Sequence, residues 1–275
     1  FAAPLPARAI VAMLAMPEED LPMFKGWAVD FSNFVGVPVP SREAALRAKR
    51  SVLDEAMDYF GTLIEQRRRE PGDDLISAMV QAHADQDRLS KEEIVATSLS
   101  ILIGGHDTTQ NFISDSLICL DRHPDQFDLV KKDRSLLDGA LEEVLRYESP
   151  QFRQIRIAAQ DVQMHGQVIA QGKSVLIALG AANRDPAVFD DPDRFDLHRA
   201  NARQHLTFVQ GPHVCLGMHL ARLETREAVD AVLDLLPGVR LVPGHSAPAR
   251  GLVFRKPGSV GAAWDVSRRA PTGKV

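Results

Sequence analysis

A mainly α-helical protein with a small β portion is predicted from three features of the sequence. Apolar residues recur at helical spacing over several long stretches. Aromatic residues are only 6% of the 275 positions. Short β-like runs are confined to the region after Pro150.

In chain order, Arg42 to Arg69 has the periodicity of one or two amphipathic helices, closed by Glu70-Pro71-Gly72-Asp73-Asp74. Asp73 or Asp74 can cap a short helix over Leu75–Ala84. Ser90-Lys91-Glu92-Glu93 has the form of a capping box and opens the longest helix, Lys91 to Arg122, which Pro124 stops. A further helix runs from Ser135 to Tyr147 and ends before Pro150. The period then changes. Gln154–Ile157, Val162–Met164, Val168–Ile169 and Ser174–Leu179 read as short strands separated by turns at His165-Gly166 and Gln171-Gly172. Asn183 to Gly211 is loop-rich, a last long helix covers Leu216 to Leu236, and weak strand patterns return at Leu252–Phe254 and Gly261–Trp264. No repeats or low-complexity linkers interrupt the chain, so one continuous domain over residues 1–275 is expected.

Composition narrows the function. With 32 Lys+Arg against 37 Asp+Glu the net charge is −5, and 45% of residues are apolar. That is the balance of a folded globular protein, without the basic surplus that nucleic-acid binding calls for. No apolar run reaches the roughly 20 residues needed to span a bilayer, and the start has no signal-peptide pattern; a cytoplasmic protein is expected. Cys119 and Cys215 cannot form a disulfide framework or a four-cysteine zinc site. The chain opens at Phe1, inside what reads as a folded segment, and a fragment is expected.

The most informative stretch is Phe208-Val209-Gln210-Gly211-Pro212-His213-Val214-Cys215-Leu216-Gly217. A cysteine immediately before a helix meets free backbone N–H groups and the positive end of the dipole, which favour the thiolate that a soft metal requires. Taken alone, such a cysteine is more often a small buried residue. Gly211 and Gly217 permit turns and the close approach of a flat group to the backbone. His213 and Cys215 lack the second ligand pair of a zinc site.

A second cluster lies in the long helix: Gly104-Gly105-His106-Asp107-Thr108-Thr109. Glycines within a helix cost about 1 kcal/mol each relative to Ala. Isolated ones mark close helix contacts; next to Asp-Thr-Thr they suit a groove with an acid and a hydroxyl. Glu143 and Arg146 are one helical turn apart and able to pair, although Glu65 and Arg68 have the same spacing.

Together these stretches resemble the cytochrome P-450 family. Phe208, Gly211, His213, Cys215 and Gly217 match its cysteine-loop pattern, with Val209 in place of the usual first glycine, and Leu220-Ala221-Arg222 follows as in the family. Gly104 to Thr108 resembles its oxygen-activating helix. Glu143-Val144-Leu145-Arg146 resembles its Glu-x-x-Arg pair, and Phe195 to Arg199 resembles the segment that completes a Glu–Arg–Arg network. The resemblance extends from Pro4 to Trp264 and implies the fold of that family, incomplete at the N-terminus.

It further implies haem b, iron protoporphyrin IX, with Cys215 as the thiolate on iron. His213 and Arg156 would meet the propionates, Phe208 would pack near the sulfur, and Gly104 and Gly105 would make room over the iron. Thr108 would hydrogen-bond dioxygen and Asp107 would feed protons. Glu143, Arg146 and Arg199 would hold the cysteine loop. His106 receives no catalytic role. The implied reaction is a monooxygenation using O2 and electrons from a ferredoxin-type donor and its reductase. Its substrate would be small, apolar and terpenoid-like. Candidate substrate contacts are Ile101, Thr109, Phe152, Gln154 and Ser259. The alternative is a haem-free or ligand-binding-only member acting as a non-catalytic helical protein.

Overall fold

The computed structural model describes residues 1–36, 42–82, 89–246, 249–251 and 253–268. They fall into two compact units, Phe1–Gln110 and Asn111–Val275.

The first unit contains α1 (Pro4–Met13), α2 (Leu21–Gly36), α3 (Arg42–Arg69), α4 (Leu75–Gln81) and the first part of α5 (Lys91–Arg122). Helices α1 and α2 precede the first helix expected from sequence, and α1 carries a proline in its first turn, where the missing N–H costs nothing. The Arg42–Arg69 stretch is one helix. Asp74 is the cap of α4: its Oδ1 accepts from the Ser77 N–H at 2.8 Å. This helix ends at Gln81, and the last residues expected in it, His83 and Ala84, lie outside the described ones. The capping box of α5 forms reciprocally. Ser90 N–H donates to Glu93 Oε2 at 2.7 Å, and Glu93 N–H donates to Ser90 Oγ at 3.1 Å. Buried Phe24, Trp27, Phe60 and Ile64 stand in this unit. The Trp27 ring meets Tyr59 edge-on at 5.8 Å and Phe60 at 6.2 Å.

The second unit continues α5 and adds α6 (Pro124–Lys132), α7 (Leu137–Tyr147), α8 (Leu179–Ala182) and α9 (Met218–Leu235). Pro124 stops α5 and also starts α6 within its first turn, so one residue punctuates in both directions. Strands β1 (Gln154–Ile157) and β4 (Ser174–Ile177) pair antiparallel, with Gln154 opposite Ile177 and Ile157 opposite Ser174. Strands β2 (Val162–Met164) and β3 (Gln167–Ile169) form a hairpin. The residues after Ile177, expected to prolong a strand, turn into α8 instead. Of the tail strand expected at Leu252–Phe254, Leu252 lies outside the described residues, and Phe254 forms an isolated bridge to Gln151. Two-residue pairs β5 (Arg240–Leu241) with β8 (Ala262–Ala263), and β6 (Ala249–Arg250) with β7 (Lys256–Pro257), complete the tail.

The core of this unit gathers Phe112, Leu120, Phe127 and Val130 with Leu141, Val144, Leu145, Phe195, Val229 and Val232. Its effect is to fix α7 and α9 against each other, which positions the cysteine loop between them in sequence.

Candidate active site

The cysteine loop closes on itself. The Cys215 N–H donates to the Phe208 carbonyl at 3.0 Å, Val214 N–H to Gly211 O at 3.0 Å, and Val209 N–H to Leu206 O at 2.8 Å. A short 3-10 turn, Gly211–His213, lies inside the loop, and α9 begins at Met218. Gly211 has φ +76, and no atom lies within 4 Å of where a Cβ at Gly211 or Gly217 would stand. His213 is exposed.

The valine that replaces the usual glycine keeps the glycine backbone. Val209 adopts φ +52, a left-handed conformation that is a genuine outlier for a β-branched residue. The loop therefore bears the strain. An L side chain in this region costs about 1–2 kcal/mol, and the extra unfolded-state freedom of glycine offsets about 0.5–1 kcal/mol. Val209→Gly is expected to raise stability by about 1 kcal/mol, read from the urea midpoint at constant slope. A lower midpoint would contradict the strain.

The thiol itself departs from the sequence reading. Burial pushes the Cys215 thiol up, and the Gly217 N–H and the Arg222 charge pull it down without overcoming that effect. The helix N-terminus thus does not by itself make a thiolate; coordination to a metal would, since a ligating thiol is deprotonated outright. The surroundings fit such a group. A half-buried soft donor sits between apolar side chains left open, Val214 at 48% and Leu216 at 85% exposure, with glycine-cleared space on either side. A flat, largely apolar, metal-bearing cofactor would cover what is uncovered. Cys119, by contrast, is fully buried and its thiol is held well above the usual range by desolvation.

Behind the loop stand two buried polar networks anchored on adjacent residues of α7. Glu143 accepts from Arg146 Nε at 2.7 Å and Nη2 at 2.8 Å, from Arg199 Nε at 3.1 Å, and from the Asp196 N–H at 2.9 Å. Arg146 also donates to the carbonyls of Asn183 (3.0 Å), Pro192 (2.8 Å) and Arg194 (3.1 Å). Arg199 donates to those of Asp190, Asp191 and Arg194. The structure thus brings Glu143, Arg146 and Arg199 together around the backbone of residues 183–196.

The second network escaped the sequence reading. Glu142 binds Arg222 and His205, and Arg222 lies over the Phe208 ring. Burial would raise the Glu142 carboxyl, but hydrogen bonds from His205 and Arg222, and the Arg222 charge, hold it down at about 2. Thr207 Oγ1 donates to the Leu145 carbonyl at 2.6 Å, and Ser149 and Asn183 reach the same Thr207 oxygen at 3.0 Å. The available signals were the Glu142-Glu143 doublet and an arginine seven residues after Cys215. Neither names its partner, which is 80 positions away.

In the first unit, α5 presents Gly104 to open space, whereas a Cβ at Gly105 would fall 2.7 Å from Ile10 Cδ1 of α1. The second glycine serves a close helix contact. Thr108 Oγ1 donates to the Gly104 carbonyl at 2.6 Å, leaving its lone pairs as acceptors until the hydroxyl rotates. Asp107 is 8% exposed, with Oδ1 3.2 Å from Nδ1 of buried His106, whose ring meets Phe24 edge-on.

The remaining candidates are dispersed. Ile101 is half-buried and Thr109 buried on α5. In the second unit, Arg156 donates to its own strand's Ile155 carbonyl at 3.0 Å, beside Gln154 on β1. The Phe152 ring lies against the Gly180 backbone, with the Arg255 guanidinium 5.0 Å from its centroid. Ser259 is exposed.

A family model described as Cytochrome P450 matches residues 29–235. The chain is 40% identical over 241 residues to a "Biotin biosynthesis cytochrome P450" of Bacillus subtilis (strain 168), covering 88% of this chain and 60% of that protein. It is 38% identical over 245 residues to a "Steroid C26-monooxygenase" of Mycobacterium tuberculosis (strain CDC 1551 / Oshkosh), covering 89% and 65%. A crystal structure of P450BioI in complex with an acyl carrier protein ligated to hexadec-9Z-enoic acid superposes with a TM-score of 0.89 at 37% identity, covering 96% of this chain and 67% of that one. The chain thus spans about 60% to 65% of the length of these curated relatives.

Proposed function

The chain belongs to the cytochrome P450 family, and from that premise we propose that it acts as a haem-thiolate monooxygenase, placing one atom of O2 into a C–H bond of a small apolar substrate. The observation that carries this is the loop: a half-buried thiol, hydrogen-bonded by its own backbone, between glycine-cleared space and uncovered apolar side chains. When bound, haem b supplies the oxygen-splitting chemistry, and a thiolate ligand donates electron density that favours O–O cleavage.

The chain's own residues do the rest. Cys215 would hold the metal, with Phe208 packed near the sulfur to limit its solvation. His213 and Arg156 would meet the carboxylates at the cofactor's edge. Gly104 would leave room where a Cβ would intrude. Thr108 would turn its hydroxyl from the Gly104 carbonyl toward the oxygen being reduced, and Asp107 would pass it protons. Glu143, Arg146 and Arg199 would hold the segment leading to the cysteine.

Electrons would come from a ferredoxin-type protein and its reductase. Among the described residues no helix is long and apolar enough to cross a membrane, which is compatible with the cytoplasmic location proposed here. The relatives' names favour oxidation of an organic substrate: one is a steroid C26-monooxygenase, another a 6-deoxyerythronolide B hydroxylase. For this chain a compact apolar, terpenoid-like molecule is the proposed class.

The decisive experiment is a haem titration followed by reduction under carbon monoxide. The wild-type chain should show the red-shifted Soret band of a thiolate-ligated iron, and Cys215→Ala should lose it while keeping the far-UV signature of a folded helical protein. A colourless protein that stays folded under excess hemin would favour the non-catalytic alternative.

A further inference from the structure

We infer that Glu142 and Arg222 are positioning residues for Cys215: the α7 carboxylate holds the α9 guanidinium over the Phe208 ring and thereby fixes the loop that presents the thiol. The inference rests on the reading of Cys215 as the cofactor's ligand. Arg222 Nε donates to Glu142 Oε1 at 2.5 Å and Nη2 to Oε2 at 3.0 Å, a two-pronged fork. His205 Nε2 lies 3.3 Å from the same Oε2, and the Thr207 N–H donates to His205 Nδ1 at 3.2 Å. That second bond makes Nδ1 the acceptor and leaves Nε2 as the protonated nitrogen that donates to Glu142.

The clamp is 4% exposed at Glu142, so it is not the kind of surface pair that contributes little. From it the chain of contacts runs directly to the cysteine. The Arg222 guanidinium carbon is 4.6 Å from the Phe208 ring centroid, and the Phe208 carbonyl receives the Cys215 N–H at 3.0 Å. Arg222 Nη1 also reaches the Met218 carbonyl at 3.4 Å, in the first turn after the cysteine. Both flanks of the loop therefore lean on one planar cation. Lysine cannot substitute, because a point charge has neither the fork that grips both carboxylate oxygens nor the plane that stacks on a ring. Glu143, one residue on, grips a different segment, at Asp196 and Arg199.

The test has two readouts. In the cofactor-free protein, amide hydrogen exchange at the Cys215 N–H should become at least tenfold faster in Glu142→Gln, Arg222→Gln and Arg222→Lys, while the α7 core amides of Val144 and Leu145 keep their protection. In the haem-loaded protein, the same variants should shift the reduction midpoint potential, and Arg222→Lys should not restore it. Unchanged Cys215 protection, equal loosening at Val144 and Leu145, or an unchanged potential despite faster exchange would each overturn the inference. If Arg222→Gln fails to fold, the two conservative variants read the same quantities. The exchange arm needs no haem, so failure of the wild-type chain to bind haem would sink the proposed function separately.

Discussion

Glu143→Gln is expected to destabilise the second unit by about 3–5 kcal/mol, a large fraction of the roughly 5–15 kcal/mol that a whole domain has available. The carboxylate is wholly buried and accepts four hydrogen bonds, three from guanidinium nitrogens and one from a backbone N–H. Glutamine keeps the shape but supplies one acceptor oxygen, turns an amide donor toward donors, and removes the side-chain anion paired with Arg146. Arg146 is itself 0% exposed, and an uncompensated buried charge is what makes breaking such a pair costly. Urea unfolding followed by circular dichroism should show the lower midpoint. Removing the cation as well does not rescue the protein fully, because Arg146 also satisfies the carbonyls of Asn183, Pro192 and Arg194. The double variant Glu143→Gln/Arg146→Met should nonetheless fall short of the sum of the two single losses, since Glu143→Gln alone strands the Arg146 charge that the double variant removes. A loss below about 1 kcal/mol for Glu143→Gln would mean the network is not holding residues 183–196.

The same pair shows what the sequence could and could not tell. Glu65 and Arg68 have identical spacing and do pair at 2.8 Å, but with side chains about half exposed; Glu143 and Arg146 are sealed from water. Spacing along a helix determines whether two side chains can meet. Burial depends on which distant segments pack over them, and only the order of neighbouring motifs hinted at that. Local rules did well where the physics is local: the capping box at Ser90, the Asp74 cap, the turns that bound the β1 to β4 strands, and the limits of α5. They failed where a residue acts twice or at long range. Pro124 both ends and begins a helix, Val209 takes a backbone shape normally reserved for glycine, and Glu142 finds its partner 80 positions on. The protonation of the unligated Cys215 thiol was hidden from the sequence for a related reason. A helix N-terminus is visible in sequence, whereas the desolvation that outweighs it is a property of the packed loop.

Glu224 should make stability fall as pH rises, opposite to the usual behaviour of a carboxylate. It lies on α9, 7% exposed, and among the described residues its Oε2 has no hydrogen-bond partner. Burial therefore penalises the charged form without compensation and pushes the carboxyl up to about 7. Between about pH 4.5 and 7 the folded chain keeps a proton that the unfolded chain has released, so folding is favoured less with each step upward in pH, and the full penalty is reached above 7. Each tenfold change in proton affinity is worth about 1.36 kcal/mol, which makes the penalty about 3 kcal/mol. Glu142 has the opposite sign although it too is buried. With Arg222 and His205 on its oxygens its carboxyl sits at about 2, and its contribution is present above about pH 4.5 and lost on acidification. Glu224→Gln retains the shape of the side chain and cannot ionise. Its stability relative to the wild type should be near zero at about pH 4.5 and climb to a plateau of about 3 kcal/mol by about pH 8, measured as the difference between two urea titrations at each pH. Other titrating groups are common to both proteins and cancel in that difference. A difference that stays flat across that range would mean that Glu224 already has a partner for its charge.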